Sequence, residues 1–310
     1  MTQPATSVDP SGRPDEAVEP PEAGTRWALA TALFDSPVTI AAAVFLLVIL
    51  AMAAFGEALA PYGANEINVP EQLQPPSAAH LFGTDDLGRD VFSRVIIAAR
   101  PSVMVSLVSV SLALVAGVSI GLVAGFYGKW VDAVGMRSMD VIFAFPVMLL
   151  AMAIVAMLGP GIVPAMLAIA VVYTPFFARI TRASVLTVRE ETYIRAARSI
   201  GAGDLRLLRL HVLPNVMAAI IVQTSLSLAF AILTEAALSF LGLGVQPPTP
   251  SWGRMLFDGR GFLPDAWWMA VFPGAAIFLT VLALNLVGDA MRDALDPRQR
   301  SAIEARQGNL

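Results

Sequence analysis

Apolar residues run along this chain in long blocks separated by polar stretches. Six blocks are long enough to cross a bilayer, which takes roughly 20 predominantly apolar residues. They lie at about 38–58, 102–127, 141–159, 162–179, 215–242 and 267–288. Pro146, Pro164, Pro175 and Pro273 fall inside them. Spanning helices tolerate proline where neighbours satisfy the freed backbone groups. Gly159-Pro160-Gly161 predicts a tight turn that makes the third and fourth spans an antiparallel pair. One polar block stands apart: YIRAARSIGAGDLRLLRLHVLPN, residues 193–215, is Arg-rich yet keeps helical apolar spacing. Tyr193, Ala196, Ala197 and Ile200 share one face, with Arg195 and Arg198 pointing elsewhere. Gly201 suits a helix C-terminus, where positive φ is common. Asp204 is the expected N-cap of a second helix carrying Leu205, Leu208 and Val212 on one face, with Arg206 and Arg209 off it. Pro214 leads into the fifth span. The pattern predicts a helical hairpin between two spans.

Composition supports the membrane reading. The chain is 56% hydrophobic and 14% charged, with a mean hydropathy of +0.69, whereas soluble domains carry about 25% charged residues. An all-α integral membrane protein of six spans follows. There is no cysteine, hence no disulfide or thiolate metal site. The net charge of −4 comes wholly from residues 1–25, where Asp9, Asp15, Glu16, Glu19 and Glu22 face the single Arg13. That Pro- and Glu-rich tail has too few large apolar side chains to offset its ordering entropy and is expected to be disordered. It lacks a basic n-region, so no signal cleavage is expected.

Lys and Arg set the orientation. With the N-terminus inside, fifteen of the twenty lie on the inner side, seven of them in the 179–212 loop. Both termini and the hairpin are therefore expected in the cytoplasm. The expected organisation is an acidic tail over 1–26, a first span with its outer loop over 27–101, and a five-span core over 102–298. That core holds the hairpin at 189–213, and a short tail follows over 299–310.

On periodicity alone the hairpin reads either as an interfacial link touching lipid phosphate or as a surface presented to a partner. Ala196-Ala197, Gly201 and Leu213-Pro214 then resemble the E-A-A-x3-G-x9-I-x-L-P signature of permease subunits of binding-protein-dependent ABC importers. Arg195 stands in place of its Glu and His211 in place of its Ile. More of the chain is similar to C-type subunits of the dipeptide/oligopeptide/nickel permease family: FGTDDLGRDVFSR (82–94), WVDAVGMRSMDVIFAFP (130–146), ILTEAALSFLGLGVQPPTPSWGRML (232–256) and NLVGDAMRDALDPR (285–298). The likeness covers about residues 80–298, with Ala98 where similar proteins often place Gly.

The resemblance implies a type I importer permease fold in a bacterial inner membrane, crossing it several times. It implies a second homologous permease, two ATPase subunits that use ATP and Mg, and an extracytoplasmic binding protein. This chain would bind no cofactor itself and would work by alternating access. The coupling surface would comprise Tyr193, Arg195, Ala196, Ala197, Arg198, Ile200, Gly201, Asp204, Leu213 and Pro214. Similar permeases carry dipeptides, longer peptides, nickel chelates, glutathione, opines or sugars. Peptides are the expected cargo, with the non-peptide solutes as the alternative and an ATP-independent secondary transporter behind it.

Other features fit this frame. Asp85, Asp86 and Asp90 lack the closing Glu of a calcium loop, and Arg89 and Arg94 share their run, so a salt-bridged outer loop is expected. With Pro248 and Trp252 this loop supplies candidates for contact with the binding protein. Glu235 lies within the fifth span, where an ionisable group is costly. It reads either as a buried Glu bonded to a neighbouring helix or, with Phe240, as part of a pathway or gate. Asp132, Arg137 and Asp140 border the third span as solvated anchors or as ties between helix ends. His80 and His211 fall in different compartments, and neither HExxH, GxSxG nor GxxxxGK[ST] occurs. No enzyme activity, metal site or nucleic-acid partner is expected.

Overall fold

The computed structural model describes residues 36–295. The tails expected over 1–26 and 299–310 lie outside them. The described elements are α1 (Pro37–Leu59), a 3₁₀ turn (Val69–Glu71), α2 (Val91–Tyr127), α3 (Lys129–Phe143), α4 (Val147–Leu158) and α5 (Ile162–Val188). There follow α6 (Thr192–Ser199), α7 (Asp204–Leu207), a π-helical turn (Leu208–Val212), α8 (Leu213–Phe240), α9 (Trp252–Gly259) and α10 (Trp268–Leu295). Five stretches are long and apolar enough to span a membrane: α1, α2, α5, the run from α7 through α8, and α10. A sixth span is broken, its halves α3 and α4 meeting at 88°.

That break corrects the third span expected at 141–159. Pro146 is the residue before α4, in extended conformation. Its ring disfavours helical geometry at Phe145, and the chain turns there. Pro101, Pro175 and Pro273 sit inside continuous helices. The second span also begins earlier than expected, at Val91, so the boundary placed after residue 101 falls inside a helix. Arg94 and Arg100 had interrupted the apolar run. Asp90 caps α2, its Oδ2 accepting from the Ser93 N–H at 2.8 Å.

The bundle is organised around α2 and α5. Gly117, Gly121 and Gly125 recur every fourth residue on α2, a spacing that keeps them on one side of the helix. A Cβ at Gly117 would stand 2.5 Å from the Thr174 carbonyl, and one at Gly121 2.5 Å from that of Ala178. At Gly125 it would stand 2.8 Å from Val185 Cβ. Small residues of this kind let helices in lipid approach closely. The main apolar core, with Val110, Ala113, Ile169 and Phe177 fully or almost fully buried, forms around this contact.

The outer end is a cap in which residues 60–90 fold over the starts of α2 and α10 and against α9. Trp268 Nε1 donates to the Thr84 carbonyl at 3.0 Å, and Phe82 stacks on Phe272 at 3.8 Å. Gly88, at φ +75°, lies so close to the Asn68 carbonyl that a side chain there could not fit. His80 is buried beneath Tyr62, whose ring centroid is 5.1 Å from its own. Its Nδ1 meets Asp90 at 2.9 Å and its Nε2 meets Glu71 at 3.2 Å. A neutral imidazole could donate to only one carboxylate, whereas the imidazolium donates to both. Burial pulls the His80 pKa down, but bonding to Asp90 and Glu71 outweighs it and leaves the pKa raised.

Two outcomes follow. Gly121→Leu should lower the melting temperature sharply or prevent folded accumulation, since overpacking costs about 1–3 kcal/mol. Gly261→Ala, at an open site, should leave melting unchanged. Because the folded His80 pKa lies above its ordinary 6.5, its contribution is complete below that pH and is lost as pH rises through the higher folded value. Protease resistance of the 60–90 cap should therefore fall as pH rises past neutrality, and His80→Gln should remove that dependence.

Candidate coupling surface

The hairpin forms at the expected place, a second apolar set rooting it in the bundle. Ile194, Leu207 and Val212 are buried within the main core, with Ala197, Ala202 and Leu208 packed on it. Tyr193, Ala196 and Ile200 lie on the outer face, Ile200 88% exposed, so the expected stripe is the free side except for Ala197. Leu205, expected on one face with Leu208 and Val212, is exposed, and Leu207 joins Val212 in the core. Gly201 adopts φ +87°, and the N–H of Ala202 donates to the Ala197 carbonyl at 3.1 Å to close α6. Gly203, not Asp204, is the N-cap of α7; Asp204 is one residue further on, where its charge suits the helix dipole. Arg195, Arg198, Arg206 and Arg209 are exposed. The outer surface is thus apolar side chains interleaved with guanidinium groups.

The hairpin is tied to the bundle. Arg189 Nη1 donates to the Gly125 carbonyl at 2.7 Å, just before α2 ends. The Arg198 guanidinium lies over the Phe126 ring at 5.4 Å. About two turns deeper, Arg182 grips Asp132 with two nitrogens, Nε to Oδ1 and Nη2 to Oδ2 at 2.6 Å. Leu213 is half-buried and Pro214 exposed at the start of α8. The hairpin thus contacts the end of α2 directly and is continuous in the core with α5 and α8.

The outer candidates are mostly internal. Asp85 accepts from the Leu87 and Arg89 N–H groups at 2.9 Å each, and Arg89 Nε lies 2.6 Å from its Oδ2. Arg94, also buried, reaches the Ala64 carbonyl at 2.7 Å. Asp86 pairs weakly with Arg89 at 3.7 Å. This is the expected salt-bridged loop, and Asp90 is consumed by the α2 cap and His80. Trp252 is fully buried, Nε1 on the Val95 carbonyl at 3.0 Å, so it wedges α9 in place and presents no outer surface. Pro248 is exposed.

Glu235 is 1% exposed. Ser239 Oγ donates to its Oε1 at 2.7 Å, while the Ser102 and Ser251 hydroxyls adjoin the carboxyl without closing a hydrogen bond to Oε2. It is buried as the first expected alternative has it, where α8 meets α2 and the start of α9, with its one hydrogen bond inside its own helix. Phe240, at the end of α8, is exposed. Glu235 lines neither a groove of about 690 Å³ between α2, α8 and α10, walled by Leu114, Leu122, Met217, Leu228 and Leu284, nor an outer cleft of about 570 Å³ near Glu57, Tyr62 and Asn65. Sequence reading missed Ile194, Leu207 and His80 as key positions. An i, i+3 apolar pair, Ile194 with Ala197, was the available signal for the first.

Two family models match: "Binding-protein-dependent transport system inner membrane component" over residues 117–301, and "N-terminal TM domain of oligopeptide transport permease C" over 25–76. The chain is 48% identical over 250 residues to the dipeptide transport system permease protein DppC of Alkalihalophilus pseudofirmus, covering 81% of this chain and 82% of that protein. It is 45% identical to the probable D,D-dipeptide transport system permease protein DdpC of Escherichia coli, covering 86% and 89%. It is also 45% identical to the glutathione transport system permease protein GsiD of Pectobacterium atrosepticum, covering 85% and 88%. Among solved structures, an inward-facing MetNI methionine ABC transporter chain aligns with a TM-score of 0.54 at 17% identity, over 66% of this chain and 96% of that one. The likeness shows a shared fold. With six apolar spans, a hairpin facing outward from the bundle and relatives matched along most of their length, the chain belongs to the binding-protein-dependent transport system inner membrane components and is a multi-pass permease subunit of an ABC importer.

Proposed function

We propose that this chain forms half of a peptide translocation pathway and receives the ATP cycle of partner subunits through the 193–213 hairpin. The observation that carries this is the outer face of α6 and α7: Tyr193, Ala196, Ile200 and Leu205 are exposed, while Ile194, Leu207 and Val212 root the same hairpin in the core. An apolar, Arg-flanked ridge in the cytoplasm fits a groove on a partner protein. A lipid-bound hairpin would bury that ridge in the headgroup region and would need no such rigid root.

In this reading a second homologous permease completes the pathway, two ATPase subunits bind ATP and Mg, and an extracytoplasmic binding protein delivers cargo. Closure of the ATPase pair pushes the hairpin. Through Arg189 on the Gly125 carbonyl, and through Leu207 and Val212 in the core, the push rocks α2, α5 and α8 so that the pathway opens outward. Hydrolysis returns the inward-facing state. Peptide cargo is supported by the dipeptide and D,D-dipeptide designations of the relatives.

Ala196→Glu and Ile200→Asp change only exposed positions and should leave the subunit inserted. They should release the ATPase subunits on detergent pull-down and lower ATP-driven dipeptide uptake by about tenfold or more. Normal uptake in both variants would refute the coupling role.

A further inference from the structure

The broken sixth span lays α3 across the bundle. α4 returns to α5 through the Gly159–Gly161 turn, with Ala151 and Val155 fully buried, so it runs along the span. α3 meets it at 88° and therefore lies close to the membrane plane. The ion pairs of α3 follow the same geometry. Asp132 and Asp140 stand about 12 Å apart along α3, yet their partners Arg182 and Arg179 stand only about 4.5 Å apart along α5. Two helices that cross steeply meet in this way.

The depth of α3 is that of the inner headgroup layer. The apolar run of α5 ends at Arg179, and Arg182, Ser184 and Arg189 follow before the hairpin. Asp132 and Asp140 bond the first two of these arginines. Gly135 faces Ala124 and Ile120, near the inner end of α2.

The side of α3 turned away from the bundle is amphipathic. Trp130, Val134 and Val141 share that side and are 73%, 58% and 59% exposed, opposite the buried Met139. Trp130 Nε1 has no hydrogen-bond partner among the described residues. An indole with one apolar and one polar edge suits the membrane–water boundary. Charge on the helix is also unbalanced. Asp132 and Asp140 are neutralised by Arg182 and Arg179, whereas Lys129 and the exposed Arg137 pair with no carboxylate among the described residues. Two cations are left over at the level where the inner leaflet carries anionic phosphate. Helices that lie in the plane of a membrane combine these same features, an aromatic and aliphatic stripe beside Lys and Arg.

We propose that α3 is a lipid-binding helix in the inner headgroup layer. Trp130, Val134 and Val141 enter between the headgroups, and Lys129 and Arg137 bond the phosphates of anionic phospholipid. A protein partner on this face would have to bring an acidic group to each cation, whereas every anionic lipid in that layer carries one. The Arg182–Asp132 and Arg179–Asp140 pairs fasten the lipid-bound helix to α5.

The chain has no cysteine, so single cysteines can be labelled in the full complex with its second permease and ATPase subunits, those made cysteine-free. Bimane on Val134→Cys or Val141→Cys should be quenched several-fold more by headgroup nitroxide lipid than by chain-end nitroxide lipid. Leu47→Cys, exposed midway along α1, should show the reverse order. Phosphatidylglycerol labelled high on its acyl chain should quench bimane at Val134→Cys several-fold more than phosphatidylcholine labelled at the same carbon. Lys129→Gln with Arg137→Gln should abolish that preference, and inorganic phosphate should not. Equal quenching by the two lipids with the native charges present would overturn the proposal, as would a preference that survives the double substitution or is lost to inorganic phosphate. A depth order at Val134→Cys matching that of Leu47→Cys would place α3 in hydrocarbon and also overturn it. Labels shielded from every lipid until the second permease is omitted would assign the face to that subunit instead. If the double variant does not assemble, the comparison of the two lipids on the native charges decides alone.

Discussion

The close approach of α2 and α5 across Gly117, Gly121 and Gly125 sets the position of nearly every other feature. In lipid there is no hydrophobic gain from pairing two apolar helices, so van der Waals contact at short range must supply it. Three glycines remove the side chains that would hold the backbones apart. Once α5 lies in that groove, Arg182 and Arg179 are aligned to meet Asp132 and Asp140 on α3. Arg189 reaches the Gly125 carbonyl on the same α2 face, which fixes where the hairpin leaves the membrane.

The two ends of the bundle use polar groups in opposite ways. At the outer end, Asp85, Asp90, Arg94 and His80 are buried and spend their bonds on one another or on backbone. Breaking one partner there would strand a buried charge, the situation in which loss is several kcal/mol. At the cytoplasmic end the arginines of α6 and α7 are exposed, where a surface pair contributes about 0–1 kcal/mol. The first arrangement suits a rigid cap; the second leaves charge available to a partner. Glu235 is buried like the cap's charges but bonds only Ser239 of its own helix, and it is the Trp252 N–H donating to Ser102 Oγ at 3.2 Å that holds the start of α9 on α2.

Much of this was legible in the sequence, for reasons that also explain the misses. A twenty-residue apolar run has few structural alternatives, so five spans were placed, four of them starting within a few residues of the helices, although α5 and α10 run nine and seven residues past their expected ends. The start of α2 was hidden because Arg94 and Arg100 interrupt the hydropathy, although Arg94 is buried by pairing inside the cap. The break at Pro146 was not separable from the tolerated Pro101, Pro175 and Pro273, since tolerance depends on neighbours that no local pattern specifies. Helical periodicity found the stripe Tyr193, Ala196 and Ile200 but not the second apolar set, Ile194 with Ala197, that roots the helix in the main core. The Asp85–Arg89 loop was readable because opposite charges at i, i+4 have an obvious local solution.

The π-helical turn at Leu208–Val212 explains how a surface hairpin can be rigidly joined to a membrane helix. Leu207 and Val212 are both fully buried yet five residues apart. On an α-helix, at about 100° per residue, that separation would point them some 140° apart and expel one from the core. With i→i+5 bonding, seen in the Leu213 N–H donating to the Leu208 carbonyl, residues five apart stack on the same side. The wider turn lets both enter the core, keeps Val216 in line after them, and turns Arg209 and Leu210 outward with the rest of the exposed ridge. The hairpin and α8 thus share one continuous buried seam. Leu207, Val212 and Val216 carry the core of the bundle from α7 into α8 with no loop between them.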